Sequence, residues 1–293
     1  MVSGTHGSTD WPRSGCGSSL GQEQQGIAGL ALSRVQQMVR AQSLRFEYKT
    51  GRTAAGFFEL VCQEFEARAG EITGIVGSNG SGKTTLVKLL LGELQPRTGS
   101  IWLDGAEINC FSKDERHRLI GWVHMDSARL LVDEFTVEDH FLLSIAAGIH
   151  GSIALPFFPK LAWVRSESFS NIIAQDLVAY DQIAGRYVAE LSSGQKQALG
   201  NALGFSSRQK LLIADEGTAT LDAVRSTQFC RWLESVVSTN SCAAVLVSHD
   251  LRLVAEYCRD LYVVDGGQVY EMSDFRDRSV EAKLRAIERR MGM

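Results

Sequence analysis

Residues Gly77-Ser78-Asn79-Gly80-Ser81-Gly82-Lys83-Thr84 fit the spacing G-x-x-x-x-G-K-[ST], in which glycines let backbone N–H groups wrap a row of phosphates. The Lys83 ammonium would offset charge on the β- and γ-phosphates. The Thr84 hydroxyl, with Thr85 beside it, is a hard oxygen suited to Mg²⁺. Further along, Asp215 and Glu216 follow the apolar run Leu211-Leu212-Ile213-Ala214, so both emerge at the carboxyl end of a strand, where ligands of α/β sheets bind. Asp215 suits a metal shell, commonly through water, and Glu216 suits an attacking water as general base, a role worth about 10²–10⁴-fold. An acidic pair after a strand is weak evidence alone; joined to the phosphate loop it becomes strong. Between loop and acids, Leu191-Ser192-Ser193-Gly194-Gln195 opens a predicted helix and supplies a second terminus of N–H donors. One chain thus carries two phosphate-facing surfaces.

The elements that must position these residues alternate between strand and helix. Leu44-Arg45-Phe46-Glu47-Tyr48 and residues 57–65 and 71–76 read as strands, 82–91 as a helix, 119–123 as a strand and 137–147 as a helix. The second half repeats the pattern: 194–204 helical, 210–214 a buried strand, 221–237 a helix, and 243–247 a strand. Residues 260–264 and 268–270 form a hairpin around Asp265-Gly266-Gly267. The fold class is α/β, with central parallel strands covered on both faces.

Composition narrows the partners. Among 293 residues, 44% are hydrophobic and 22% charged, enough apolar material for a globular core, and the formal charge of −4 gives no basic surface for a phosphate backbone. Nucleic acid is not expected as a partner. The cysteines Cys16, Cys62, Cys110, Cys230, Cys242 and Cys258 show no C-x-x-C pair and read as scattered thiols rather than a metal cage. His6, His117, His140 and His150 lack ligand spacing and read as surface or satisfied core residues. Residues 1–29, rich in Gly, Ser and Gln, give a disordered tail by composition, and Met38 sits where a compact domain begins and is a candidate natural start; the expected division is 1–37 tail and 38–293 domain. The apolar stretch 141–164 is long enough for a membrane span, but His150, Lys160, Pro156 and Pro159 interrupt it.

With these motifs in this order, the chain resembles the nucleotide-binding domain of ABC ATPases over about residues 43–272. Leu191 to Gln195 matches the signature LSGGQ with Ser193 in place of a glycine, and Leu221-Asp222 matches the loop that follows the acids. His249 matches the switch histidine at the γ-phosphate, and Tyr48 the aromatic that stacks on adenine. The resemblance implies a P-loop NTPase core of mostly parallel sheet, an antiparallel β subdomain, and an α-helical signature subdomain at about residues 135–205. It implies ATP and Mg²⁺ as ligands. It also implies a head-to-tail dimer, homo- or heteromeric, in which ATP lies between the phosphate loop of one cassette and residues 192–195 of the other, with Lys83, Ser192, Gly194 and His249 on the γ-phosphate. The expected function is ATP hydrolysis coupled to solute transport through separate polytopic membrane subunits, which would hold the chain on the cytoplasmic face of the membrane. The alternative is a soluble non-transport ABC ATPase of the cluster-assembly or regulatory type. Ile153, Leu155, Phe157, Phe158, Leu161 and Trp163 are candidate contacts for a membrane subunit, or pack internally.

The chain also departs from the family pattern. Gly217 follows Glu216 where the family has proline. More consequentially, the family glutamine after the strand ending Val123-His124 is replaced by Met125, and no glutamine occurs between Gln95 and Gln175. A thioether is a poor Mg²⁺ ligand. Either His124 or Asp126 substitutes, or metal contact is left to Thr84 and Asp215. The expected outcome is a measurable but reduced ATPase that Met125→Gln speeds up; a steady-state phosphate-release assay giving turnover equal to or below the parent contradicts this.

Overall fold

A computed structural model describes residues 37–48, 58–124, 128, 131–150, 183–203, 209–215 and 223–292. Three segments with near-continuous apolar sequence, β3 (Ile72–Gly77), β7 (Leu211–Asp215) and β8 (Ala243–Val247), are buried at every position, as parallel strands covered on both faces must be. With β6 (Ile120–His124) and β9 (Asp260–Asp265) they form the parallel part of one sheet, in the order β9-β3-β8-β7-β6. Two apolar clusters cover its faces, one containing Ile75, Leu86 and Val245 and the other Val76, Phe229 and Leu246.

The antiparallel strands belong to the same sheet. β1 (Gln37–Glu47) pairs with β2 (Glu59–Arg68) and with β4 (Thr98–Leu103), and β5 (Ala106–Glu107) closes that edge. β10 (Gln268–Glu271) joins the two parts, antiparallel to β9 and parallel to β2. β1 begins at Gln37, ahead of the predicted Leu44, and carries a register shift between Gln42 and Arg45 where it pairs with β4.

Seven α-helices are formed by the described residues: α1 (Lys83–Leu91), α2 (Lys113–Leu119), α3 (Val137–His150), α4 (Ser193–Leu203), α5 (Ala223–Asn240), α6 (Leu251–Tyr257) and α7 (Val280–Met291). None of them is long and apolar enough to cross a membrane. α3 and α4 share a small core of their own: Val137, Phe141, Ile183, Val188, Leu191 and Leu199. The start of β3 is held from the C-terminal side. Arg276 donates to both carboxylate oxygens of Glu71 at 2.8 and 2.6 Å and to Asp260, which also accepts from Arg68 at 3.0 Å. Paired forks of this kind fix geometry as well as adding energy.

The β9–β10 turn reaches the far end of β3. Asp265 pairs with Gln268, leaving Gly266 and Gly267 as a two-residue loop with φ of 52° and 81°, values that suit a hairpin turn and disfavour side chains. The Gly267 N–H donates to Ser81 O at 2.9 Å, its carbonyl accepts from Val61 N at 2.8 Å, and a Cβ on Gly267 would lie 2.0 Å from Glu59 O. Gly266 faces open space. Gly267→Ala is therefore expected to cost ~2–4 kcal/mol, from left-handed strain of about 1–2 kcal/mol plus the backbone clash. At the scale of about 2–4 °C per kcal/mol the melting temperature falls by about 5–10 °C. Gly266→Ala carries the strain alone. Thermal unfolding with equal losses in the two variants contradicts the close approach.

Candidate nucleotide site

β3 delivers the chain into the loop that begins at Gly77 and ends at the first turn of α1. Two of its glycines are walled in: a Cβ on Gly77 would sit 2.2 Å from Val264 O, and one on Gly82 would sit 2.9 Å from Phe58 Cζ and from Leu60 Cδ1. Gly80, at φ 77°, faces empty space. The loop is thus held from behind by β2 and β9 and open in front, where Ser78, Asn79, Gly80 and Thr84 are exposed. The first N–H groups of a helix have no carbonyl of their own helix to bond, so the start of α1 presents donors to the same opening. Lys83 is buried and its Nζ donates to Gly77 O at 2.9 Å and Ser78 O at 3.0 Å. The Ser81 hydroxyl is buried with no hydrogen-bond partner among the described residues. A cradle with a tethered cation and an unmet hydroxyl fits an anion bearing several oxygens.

Tyr48 lies at the same place. Its hydroxyl is 3.4 Å from Thr85 Oγ1, its ring meets Phe46 edge-on at 4.9 Å and lies 6.0 Å from Phe58, and the residue is 39% exposed. An aromatic face is available beside the loop, as stacking on a base requires.

Sheet register brings the remaining groups to this edge. Because β6, β7, β8, β3 and β9 are parallel, their carboxyl ends coincide: His124, Asp215, Val247, Ile75 and Tyr262 form one row across the sheet. Asp215 is buried at the end of β7. His249 is exposed just past β8, between Ser248, whose hydroxyl accepts from Asp250 N at 3.0 Å, and Asp250, whose carboxylate caps α6 at Arg252 N. Thr84 and Asp215 supply hard oxygen, and no group of three or more His, Cys, Asp or Glu among the described residues could hold a metal. That sparse donor set fits Mg²⁺, which keeps its waters and binds through one or two carboxylates plus phosphate. Glu216, Asp222, Met125 and Asp126 lie outside the described residues, as does the apolar segment from Ile153 to Trp163.

The second Ser/Gly element is built differently. Ser192 N donates to Gln195 Oε1 at 3.0 Å and Gln195 N donates to Ser192 Oγ at 3.3 Å, a reciprocal cap on α4. The first and last polar residues of the motif therefore secure the helix start, leaving Ser193 and Gly194 at its first positions. The Ser192 O–H keeps its proton to donate outward. Lys196 bonds Asp133 at 2.5 Å, tying α4 to the chain that follows β6. This element rests on the α3–α4 core, an apolar cluster distinct from the two that cover the faces of the sheet.

Sequence reasoning missed the Gly267 brace behind Ser81, although Asp265-Gly266-Gly267 was the visible signal of a turn there. His140 is buried, accepts from Val132 N at Nε2 (2.9 Å) and lies 3.1 Å from Thr136 O at Nδ1, a satisfied core imidazole. Cys62, Cys230, Cys242 and Cys258 are buried free thiols, with burial pushing Cys62 and Cys230 up to about 12, so none is poised as a nucleophile.

Comparison with known proteins gives the same picture. The family model described as "ABC transporter" matches residues 63–219. The methionine import ATP-binding protein MetN of Carboxydothermus hydrogenoformans is 30% identical over 208 residues, 70% of this chain and 58% of that protein. MetN of Rhizobium meliloti is 30% identical over 233 residues, 79% of this chain and 61% of that protein. The chain thus spans about three fifths of the length of these relatives. Among solved structures, cbiO1 of Clostridium perfringens, part of the ABC transporter complex cbiONQ, superimposes with a TM-score of 0.68 at 24% identity, covering 87% of this chain and 96% of that one. A dimeric ATP-binding cassette in a post-hydrolysis state with ADP and Pi gives a TM-score of 0.62 at 19% identity over 80% of this chain and 98% of that one. The fold is that of an ABC cassette, and the chain belongs to the ABC transporter ATP-binding family.

Proposed function

We propose that this chain is the ATP-binding and ATP-hydrolysing subunit of an ABC transporter, in which two cassettes close head to tail around ATP and couple that closure to membrane subunits. The observation that carries the reading is that the two phosphate-facing surfaces rest on different apolar cores. The loop of residues 77–84, Asp215 and His249 share one sheet edge, whereas the capped start of α4 stands on another core. Two such surfaces in one chain serve two nucleotides when a second cassette supplies the opposite half. The importer names of the relatives support transport over a soluble non-transport role, and the dimeric architecture of a structural neighbour supports the pairing of two cassettes.

In this mechanism the loop N–H groups and Lys83 bind the β- and γ-phosphates, Lys83 exchanging its carbonyl partners Gly77 O and Ser78 O for phosphate oxygens. Tyr48 stacks on the base, and Thr85, bonded to Tyr48, keeps base and phosphate ends in register. Thr84 and Asp215 would hold Mg²⁺, which when bound offsets phosphate charge. Glu216 takes a proton from the attacking water and His249 donates to the γ-phosphate. From the second cassette, the Ser192 hydroxyl and the N–H groups of Ser193 and Gly194 complete the site, with Gln195 keeping the helix start rigid and Asp222 alongside. Cleavage removes the γ-phosphate that bridges the pair, and the cassettes part. The membrane subunits then place the chain at the cytoplasmic face.

Glu216→Gln is expected to lower turnover by at least about 10²-fold while ATP still binds, because only the proton acceptor is removed. Lys83→Ala is expected to lose ATP affinity itself. Steady-state phosphate release together with equilibrium ATP titration separates the two; a Glu216→Gln variant hydrolysing at the parent rate contradicts the mechanism.

A further inference from the structure

Arg116 is the largest fully buried side chain among the described residues, at 0% exposure. One terminal nitrogen, Nη1, donates to Leu89 O at 2.9 Å and Leu90 O at 3.0 Å, while Nε and Nη2 have no hydrogen-bond partner among the described residues. Leu89 and Leu90 are in the last turn of α1, whose carbonyls have no N–H of their own helix to accept from. The rest of that end is closed by backbone: Gly92 N–H bonds Leu89 O at 3.1 Å and Leu94 N–H bonds Lys88 O at 3.2 Å. A Cβ on Gly92 would come 2.6 Å from Arg116 Cδ, so the guanidinium lies directly on the helix end.

Burying a guanidinium with idle donors is costly, and an uncharged side chain of similar length would avoid that cost. Burial lowers the group to about 10, still far above neutral pH, so the charge is retained. What the charge does is complement the negative end of α1. Arg116 belongs to α2, which runs without a break into β6, and β6 pairs with β7 so that His124 and Asp215 stand side by side. The phosphate loop is at the other end of α1.

We propose that Arg116 is a positioning residue for the phosphate loop: by clasping the C-terminal carbonyls of α1 from α2, it fixes the loop at the front of α1 relative to the β6–β7 edge that carries Asp215. This rests on the nucleotide reading above. A short rigid helix transmits displacement from one end to the other, so loosening its C-terminus shifts the N–H cradle against the carboxylate edge.

The test compares Arg116→Met and Arg116→Lys in the full chain, measuring MgATP affinity by calorimetry and thermal stability in parallel. Met keeps an unbranched side chain without charge or donors; Lys restores charge and donors in a less complete shape. The expected result is about tenfold weaker MgATP binding for Arg116→Met and recovery to within about threefold for Arg116→Lys, even where Lys is the less thermostable of the two. If Met leaves affinity unchanged, or if affinity losses in both variants simply follow their stability losses, Arg116 only packs and the proposal is overturned. Should Arg116→Met fail to fold, Arg116→Gln, which keeps a donor without the charge, takes its place with the same expectation relative to Lys. A parent chain that does not bind MgATP would instead overturn the nucleotide reading, and this inference with it.

Discussion

The loop of residues 77–82 has to be open to solvent in front and immovable behind, and close backbone contact supplies the second condition. Gly77 approaches Val264 O so nearly that a Cβ would lie 2.2 Å from it, and Gly267 N–H holds Ser81 O at 2.9 Å. Both contacts come from the β9–β10 hairpin, whose strands bridge the parallel and antiparallel parts of the sheet. Donors that need no rearrangement to meet charge contribute more than donors that must be recruited. Much of the sheet topology can be understood as the frame for that hairpin: β2 flanks β10, β3 flanks β9, and Arg276 secures the starts of β3 and β9 at the other end through Glu71 and Asp260.

The signature element follows a different design. Ser192 and Gln195 spend part of their hydrogen-bonding capacity on each other, which makes the first turn of α4 a finished structure before any ligand arrives. Replacing a glycine of the family pattern by Ser193 is tolerable there, because Ser193 is the first residue of α4 and exposed, and its backbone N–H remains part of the helix start. The Asp133–Lys196 pair and the backbone bonds from Val188 N to Phe135 O and Ala189 N to Asp133 O join this helix to the chain that leaves β6.

The central strands were legible because full burial demands unbroken apolar runs, as at Leu211 to Ala214 and Ala243 to Val247. The hairpin was legible because a two-residue turn with positive φ demands Gly266 and Gly267. The extent of β1 was not: its Met38, Arg40 and Gln42 alternate with Val39 and Ala41 too weakly to mark a strand, and pairing with both β2 and β4 forms it. α2 escaped notice for lack of an apolar stripe, being a polar helix started by the Ser112–Glu115 capping box and buried only through Arg116. Of the site, the loop and Asp215 could be read from motif spacing. Gly267 and Arg116 could not, because each acts through a carbonyl remote in sequence and no side-chain pattern records such a partner.

The central claim is that one chain's two phosphate-facing surfaces serve different nucleotides. Amide hydrogen exchange of the Glu216→Gln chain with MgATP, across protein concentrations, tests it most directly. The account predicts protection of residues 77–85 even in dilute chain, with 192–195 gaining protection only when a second cassette pairs with the first. Protection of 192–195 by ATP in the isolated monomer, or none at 77–85, would contradict it.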